Sequence, residues 1–259
     1  MKKVSIIGNG NIAFAIAKGL IKSGYQLEIA GRTLEKLEEF ENRLGHPITK
    51  VPNYLITGFD ISGKDVILAF KPHNLSTSSK SLQGRANTLF SVLAGTTLES
   101  LQNHIEAERY IRAMPNVSAI YQSSITSLTG DREAKEKAEE IFSKIGQTIW
   151  LESEDEVDIA TAIGGSGPAF LSLIAEALTD GGVKAGLKRG DAEKLVAGLF
   201  QSFAPLIESE KPSLIKDRVM SPKGTTAYGY ATLEEKGVRG AVIQAIENSY
   251  HRAIELGKK

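Results

Sequence analysis

The chain has 259 residues, of which 41% are apolar, so it can bury one large core or two modest ones. Lys plus Arg and Asp plus Glu both number 31, and this balance, without a basic block, argues against a nucleic-acid-binding protein. The absence of cysteine excludes disulfides, thiolate catalysis and zinc–thiolate sites, and it fits a reducing compartment.

The N-terminus enters a strand pattern at Val4, too early for the apolar region of a signal peptide. No uninterrupted apolar stretch was found that reaches the length of a bilayer span. We therefore expect a soluble cytoplasmic protein with no membrane and no nucleic-acid partner.

Short apolar runs alternate with amphipathic stretches through the first part of the chain. The apolar runs predict buried strands at residues 4–7, 27–30, 66–70, 89–93 and 110–112. The amphipathic stretches predict helices at 11–23 and 33–44, an alternation typical of βαβ units in a parallel sheet. Two more strands, 124–128 and 148–151, flank a Lys- and Glu-rich helix at 131–144 with a solvated face of i,i+4 ion pairs. Segment 53–64 is too irregular for a full helix.

The pattern changes after Trp150, where the acidic segment 152–156 indicates a domain boundary. Only helical periodicity follows, with a long helix from Pro168 to about Ala185 and further helices at 191–207, 225–235 and 238–256. The sequence therefore predicts an α/β sheet domain at residues 1–153 and an all-helical domain at residues 154–259.

A dinucleotide fingerprint connects the first strand to the first helix. It reads Gly8-Asn9-Gly10-Asn11-Ile12-Ala13, the G-x-G-x-x-A form. Gly8 permits the tight turn, Gly10 lets the backbone approach a pyrophosphate, and Ala13 lets the helix pack close to the strand. The helix N-terminus then offers free N–H groups to the anion. The motif in this position predicts a Rossmann-type, doubly wound sheet.

The end of the second strand indicates which dinucleotide binds. An NAD enzyme usually has Asp or Glu there for the ribose 2′-OH, whereas this chain continues with Gly31-Arg32-Thr33. An arginine can grip a 2′-phosphate in a bidentate way, and Thr33 can add a hydroxyl. Glu28 is the competing carboxylate, but it falls inside the strand. We therefore predict NADPH, with NADH as a weaker alternative.

Two more strand ends are expected to line the nicotinamide half of the cofactor. They read Ala69-Phe70-Lys71-Pro72 and Ala94-Gly95, at the carboxyl edge where open α/β sheets bind ligands. Lys71 has two interpretations, a catalytic acid or a solvated residue. The second is favoured because Pro72 interrupts regular secondary structure there.

Two glycine-rich turns occur within the helical part, where glycine is unfavourable. One is residues 163–169, around Gly164-Gly165-Ser166-Gly167-Pro168; the other is Ser221-Pro222-Lys223-Gly224-Thr225-Thr226. Each leads into a helix and presents N–H groups, and the second adds three hydroxyls, a chemistry suited to a carboxylate. Helix capping or close helix packing explains the first turn equally well, but the second less well.

Together these motifs resemble pyrroline-5-carboxylate reductases over nearly the full length of the chain. The resemblance also includes Arg112-Ala113-Met114-Pro115-Asn116, and its most specific parts are the Gly-Ser-Gly-Pro and Ser-Pro-x-Gly-Thr-Thr turns. It implies NADPH-dependent reduction of 1-pyrroline-5-carboxylate to L-proline, the last step of proline biosynthesis. It also implies a Rossmann domain followed by a helical domain that forms an interlocked homodimer. Larger rings of dimers are a further implication.

The resemblance also assigns roles within the second turn. It implies that Ser221, Gly224, Thr225 and Thr226 bind the substrate, with Thr226 closest to the imine nitrogen and therefore catalytic. Lys223 stands where the family commonly has glycine, and Arg218 where some members have asparagine.

Two alternatives remain beside this prediction. A β-hydroxyacid dehydrogenase shares the two-domain plan, but it needs a lysine soon after the first glycine-rich turn, and here the next lysine is Lys184. A protein that binds NADPH without turnover would not need the hydroxyls at 221–226. No metal is expected, because the four histidines are scattered and no ligand cluster is apparent.

Overall fold

The structure is a computed structural model, and it describes residues 2–257. The chain divides into two compact units. The first comprises the residues up to Gly165 together with the segment from Ser249 onward, and the second is Ser166–Asn248.

Strands occur only in the first unit among the described residues. They are β1 Lys3–Ile7, β2 Gln26–Ala30, β3 Thr49–Val51, β4 Phe59–Asp60, β5 Asp65–Leu68, β6 Leu82–Gln83, β7 Ala86–Ser91, β8 Ala107–Met114, β9 Ser124–Gly130 and β10 Gly146–Trp150. Its helices are α1 Asn11–Lys22, α2 Leu34–Leu44, α3 Tyr54–Thr57, α4 Leu75–Ser79, α5 Leu98–His104, α6 Lys135–Phe142 and α7 Glu154–Gly164.

One eight-stranded sheet forms the centre of the first unit, in the order β10-β9-β8-β7-β5-β1-β2-β3. Its strands pair in parallel except β8 with β9. The order reverses direction at β1, from which the chain builds first towards β3 and then, from β5 onward, towards β8. This is the switch point of a doubly wound sheet, so the predicted Rossmann-type fold is confirmed.

The central strands are buried because helices cover both faces of a parallel sheet. Ile6, Ile29 and Ile67 on three adjacent strands are fully buried, and α1 packs Ile16 and Leu20 into the same core. The predicted strands are all present, with ends shifted by up to three residues. The short edge strand β3 was missed because its three residues are half-exposed or exposed and lack an apolar pattern.

The predicted helix at 131–144 is interrupted. A 3₁₀ turn at Arg132–Ala134 precedes α6, and another at Ser143–Ile145 follows it. One i,i+4 ion pair forms, Lys135–Glu139 at 3.9 Å, whereas Lys137 reaches out of the helix to Asp65 at 2.9 Å. The charged face is therefore only partly an intrahelical ion-pair ladder.

The second unit is entirely helical, as predicted. Its helices are α8 Gly167–Lys184, α9 Arg189–Ser209, α10 Pro212–Val219, α11 Thr225–Glu235 and α12 Val238–Gly257, of which the last residues belong to the first unit. Pro168 lies in the first turn of α8, where its missing N–H is not needed.

The first compact unit extends past residue 153 to Gly165, while the division into domains at residues 1–153 and 154–259 stays a prediction. The compact unit extends this far because α7 packs against β9 of the sheet. The chain also returns from α12, where the Tyr250 hydroxyl donates to Asp155 Oδ1 at 2.6 Å. The acidic segment is thus a helix start, with the Ser153 side chain accepting from Glu156 N at 3.2 Å, and not the end of the compact unit.

Candidate active site

A cavity of about 640 Å³ opens at the carboxyl ends of β1, β2 and β5. This is the edge of the sheet at the switch point, where open α/β sheets bind ligands. The predicted cofactor residues that line it are Gly8, Asn9, Gly10, Asn11, Ile12, Arg32, Ala69, Phe70, Lys71, Pro72 and Ala94. The sequence prediction therefore placed most of its cofactor residues around one cavity.

The fingerprint turn has the geometry that its glycines require. Gly8 has φ +121°, and a Cβ on it would lie 2.7 Å from the carbonyl carbon of Ala69 and closer still to the oxygen. Gly10 has an ordinary φ of −82°, and a Cβ there would meet no protein atom within 4 Å. Its hydrogen therefore faces open space at the start of α1, which leaves room for an anion beside the N–H groups of the first turn.

Three basic residues form one wall of the cavity: Arg32, Lys36 and Arg43. Within residues 2–257 the Arg32 guanidinium has no hydrogen bond or ion pair with protein, so its donors are available to a ligand. Arg43 lies over the Phe14 ring at 4.4 Å from its centroid. Lys36 and Arg43 were not predicted, although a spacing of seven residues places them on one face of α2, the helix that follows Arg32.

Three predicted cofactor residues do not line the cavity. Thr33 is the N-cap of α2, and its hydroxyl oxygen accepts from Lys36 N at 3.4 Å. Ala13 is fully buried against the core, which agrees with its expected packing role. Gly95 has φ +70° and shapes the turn after β7. A direct role of Thr33 at the 2′-phosphate stays a prediction.

A polar patch that the sequence did not reveal lies on another wall of the cavity. It consists of Tyr54, Asn74, Thr77 and Ser78, from α3, α4 and the 3₁₀ turn before α4. The Tyr54 hydroxyl and Ser78 Oγ are 3.0 Å apart. Burial raises the pKa of Tyr54, while the Ser78 hydrogen bond and the Arg32 charge oppose that shift. Tyr54 is therefore a neutral hydrogen-bonding group here.

Glu28 does not face the cavity. It is buried within β2, where its Oε2 accepts from Ser5 Oγ at 2.7 Å and from Lys64 Nζ at 2.8 Å. Burial by itself would raise the pKa of Glu28, but the hydrogen bonds from Lys64 and Ser5 hold it below its ordinary value. The Glu28 carboxylate is thus not free to hold a ribose 2′-OH.

The second predicted site is the turn at residues 221–226, in the helical unit. A Cβ on Gly224 would overlap the Ser221 hydroxyl oxygen, so that hydroxyl lies over the start of α11. No side chain caps α11, so its first N–H groups are free for a ligand. Ser221, Thr225 and Thr226 are all exposed. The turn therefore brings hydroxyls and N–H groups to one point, as the sequence suggested.

Lys223 adopts φ +60°, in the left-handed region that favours glycine. This explains why a glycine is common at this position of the motif. We expect Lys223→Gly to leave the free energy of unfolding unchanged or to raise it by up to about 1 kcal/mol, because relief of strain opposes added chain entropy. Urea unfolding of both proteins tests this, and a loss of more than about 1 kcal/mol would contradict the strained geometry of the turn.

The first glycine-rich turn has a packing role. Asn116 Nδ2 donates to Gly164 O at 3.0 Å, and a Cβ on Gly165 would lie 2.8 Å from Thr161 O. A Cβ on Gly164 would lie 3.3 Å from Ile125 Cγ2, so close contacts restrict both positions. Within the described residues, no group of three or more His, Cys, Asp or Glu side chains is placed to hold a metal ion.

The helical unit exposes an unusual amount of apolar surface. Within residues 166–248, Ala192 and Ile215 are the only buried apolar residues. The strongly exposed ones are Leu171, Leu173, Leu178, Leu187, Leu195, Leu199, Ile207, Leu214, Val219, Tyr228, Leu233, Val242 and Ile243. A surface of this kind marks an interaction face rather than a solvated one.

By length and composition one helical stretch, Glu154–Lys184, could cross a membrane. The sequence reading required an uninterrupted apolar run. This stretch instead combines α7 and α8 and begins with several carboxylates. Of the residues in its most apolar part, 11% are buried.

The fold and the cavity define a dinucleotide-binding protein of the two-part, sheet-plus-helices type. Two family models match it: the NADP oxidoreductase, coenzyme F420-dependent family over residues 3–95, and the pyrroline-5-carboxylate reductase dimerisation family over residues 154–256. A pyrroline-5-carboxylate reductase of Helicobacter pylori (strain J99) is 38% identical over 255 residues, covering 96% of this chain and 98% of the relative. The chain belongs to the pyrroline-5-carboxylate reductase family, and it is an NAD(P)H-dependent oxidoreductase.

Solved structures agree with this membership. A 1-pyrroline-5-carboxylate reductase from Streptococcus pyogenes superposes with a TM-score of 0.84 at 31% identity, covering 98% of both chains. A pyrroline carboxylate reductase of Plasmodium falciparum, solved with NADP bound, shares the fold with a TM-score of 0.79 at 23% identity, covering 99% of this chain and 98% of that one.

Proposed function

We propose that this protein reduces the ring imine of 1-pyrroline-5-carboxylate to L-proline, the last step of proline biosynthesis, with NADPH preferred over NADH. The observation that carries the proposal is the match to a pyrroline-5-carboxylate reductase over 96% of the chain. The cavity at the sheet edge and the hydroxyl-rich turn at 221–226 supply the two kinds of site that this reaction needs.

The residues around the cavity fit a phosphorylated dinucleotide. The open space at Gly10 and the N–H groups at the start of α1 suit the pyrophosphate. The unpaired guanidinium of Arg32, with Lys36 from the first turn of α2 also lining the cavity, suits the 2′-phosphate. The Ala69–Pro72 segment and Ala94 lie where the nicotinamide half would bind. When bound, the cofactor supplies the hydride.

The turn at 221–226 is proposed to hold the substrate. A carboxylate accepts several hydrogen bonds at once, and the N–H groups at Thr225 and Thr226 with the Ser221 hydroxyl can donate them. Thr226 is proposed to hydrogen-bond the ring nitrogen and thereby fix the orientation of the imine carbon. Its hydroxyl is a weak acid, so orientation is its larger contribution.

The second unit is proposed to form a homodimer, because its matched family is a dimerisation family and its apolar side chains lack a core of their own. Larger rings of dimers and a cytoplasmic location belong to the same proposal. We also propose that residues 1–153 bind the cofactor, and that residues 154–259 form the dimer and bind the substrate.

The activity is tested by following NADPH absorbance with purified protein and 1-pyrroline-5-carboxylate, and by amino-acid analysis of the product. We expect equal amounts of NADPH consumed and proline formed. Consumption with a small β-keto acid in place of the imine would identify a β-hydroxyacid dehydrogenase. Tight NADPH binding with no oxidation by either substrate would leave a binding protein without turnover.

Thr226→Ala is expected to lower kcat/KM for the imine about tenfold, the effect of one lost hydrogen bond to a charged group, without changing the Kd for NADPH. The matched control is Thr232→Ala, the same change on the same helix, where the hydroxyl only donates to Tyr228 O. Steady-state kinetics decide the matter. Equal values for both variants would remove Thr226 from the site.

A further inference from the structure

A buried arginine joins the sheet to α7. The Arg112 side chain, near the end of β8, is only 2% exposed. Its Nη1 donates to Glu154 Oε1 at 2.9 Å and its Nη2 donates to Asp158 Oδ1 at 2.7 Å. One guanidinium thus binds two carboxylates from successive turns of one helix face.

The Glu154 carboxylate has a second partner. Its Oε1 also accepts from the backbone N–H of Leu98 at 2.8 Å, at the first residue of α5. The preceding segment, residues 92–97, leaves β7 and contributes Val92 and Ala94 to the cavity wall. Glu154 therefore connects the buried arginine to the end of a cavity-lining loop.

Stability alone is a poor explanation for this cluster. Among the described residues Arg112 Nε is one of only two buried side-chain polar atoms without a hydrogen-bond partner. A buried charge with an unsatisfied donor is unfavourable, and apolar residues of similar volume often replace such clusters without loss of stability. The fixed geometry that the cluster imposes on its neighbours is what an apolar replacement would not supply.

We propose that Glu154, held in place by Arg112, is a positioning residue for the cofactor site. It fixes the backbone at Leu98 and so sets the path of loop 92–97, which presents Ala94 to the cavity. Asp158 shares the arginine but does not contact the loop, so it contributes only to the ion pairing. This inference rests on the proposed function, because it takes the cavity to be the NADPH site.

The experiment compares Glu154→Ala with Asp158→Ala in the full chain, by NADPH titration and by thermal unfolding. Both variants lose one ion pair to Arg112, so we expect both to lower Tm, Glu154→Ala by more because it also loses the Leu98 hydrogen bond. Only Glu154→Ala removes the acceptor of the Leu98 N–H, so we expect its Kd for NADPH to rise about fivefold, against less than twofold for Asp158→Ala. Glu154→Gln keeps one acceptor oxygen and is expected to restore binding to within about twofold of the parent.

Equal Kd values for the two alanine variants would overturn the proposal, as would failure of Glu154→Gln to restore binding. If Glu154→Ala does not fold, Glu154→Asp replaces it. That variant keeps the charge but withdraws the oxygen from Leu98, and an unchanged Kd would contradict the positioning role. A parent protein that binds no NADPH would instead refute the proposed function, so the two failures are distinguishable.

Discussion

Arg32→Ala is expected to raise the Kd for NADPH by about 10- to 100-fold and to change the Kd for NADH by less than about threefold. A lost hydrogen-bond partner of a charged group costs about 1.5–3 kcal/mol, and each 1.4 kcal/mol is about tenfold. The guanidinium lines the cavity after β2 and is unpaired within residues 2–257, so its removal leaves no protein group unsatisfied. The loss of NADPH affinity should therefore reflect only the lost interaction with the 2′-phosphate.

NADH is the internal control, because it differs from NADPH only in lacking that phosphate. Lys36→Ala is the matched variant, since Lys36 lines the same wall as a point charge rather than a planar fork. We expect it to weaken NADPH binding less than Arg32→Ala does. Fluorescence titration of both variants with both cofactors measures the four dissociation constants, which are compared with those of the parent protein. Equal losses for NADPH and NADH in Arg32→Ala would refute its role at the 2′-phosphate.

Gly8→Ala is expected to reduce the free energy of unfolding by about 3 kcal/mol or more and to abolish measurable NADPH binding. Two costs add at this position. The backbone has φ +121°, and the new Cβ would press into the backbone of Ala69, whose carbonyl carbon would be 2.7 Å away. Neither β1 nor β5 can yield easily, because both are central strands of the sheet.

Two control variants separate these costs. Gly45→Ala has φ +62° with no atom within 4 Å of its Cβ, so it carries only backbone strain, about 1 kcal/mol. Gly10→Ala has φ −82° and also no close atom, so it should fold normally yet bind NADPH more weakly. Urea unfolding and NADPH titration give both quantities. A Gly8 variant no less stable than the Gly45 variant would show that the close contact with Ala69 is unimportant.

The parts of the molecule that depend on neighbouring residues in the chain were readable from the sequence. The alternation of apolar runs and amphipathic stretches predicted the parallel sheet and the helices after Trp150. The glycine spacing at residues 8–13 predicted a turn, in which Gly8 has a φ that only glycine tolerates easily. Such features need no knowledge of distant contacts, because sterics and hydrogen bonding within a few residues decide them.

Contacts between distant segments were decided only by the tertiary structure. Tyr54 and Ser78 carry no motif, and they line the same cavity as Arg32 only because their segments meet beside the sheet edge. Arg112 was noted within a motif, but its partners Glu154 and Asp158 lie more than 40 residues away.

The end of the first compact unit was likewise decided by contacts between distant segments. Acidic composition suggested a domain boundary at residue 153, whereas α7 packs against β9 and the compact unit extends to Gly165. The domain division at residue 153 stays a prediction. The sequence by itself therefore determined the fold class, the fingerprint turn and the hydroxyls of the 221–226 turn. The tertiary structure decided which side chains surround the cavity and which carboxylates hold Arg112, because burial and long-range packing have no period that a local pattern can record.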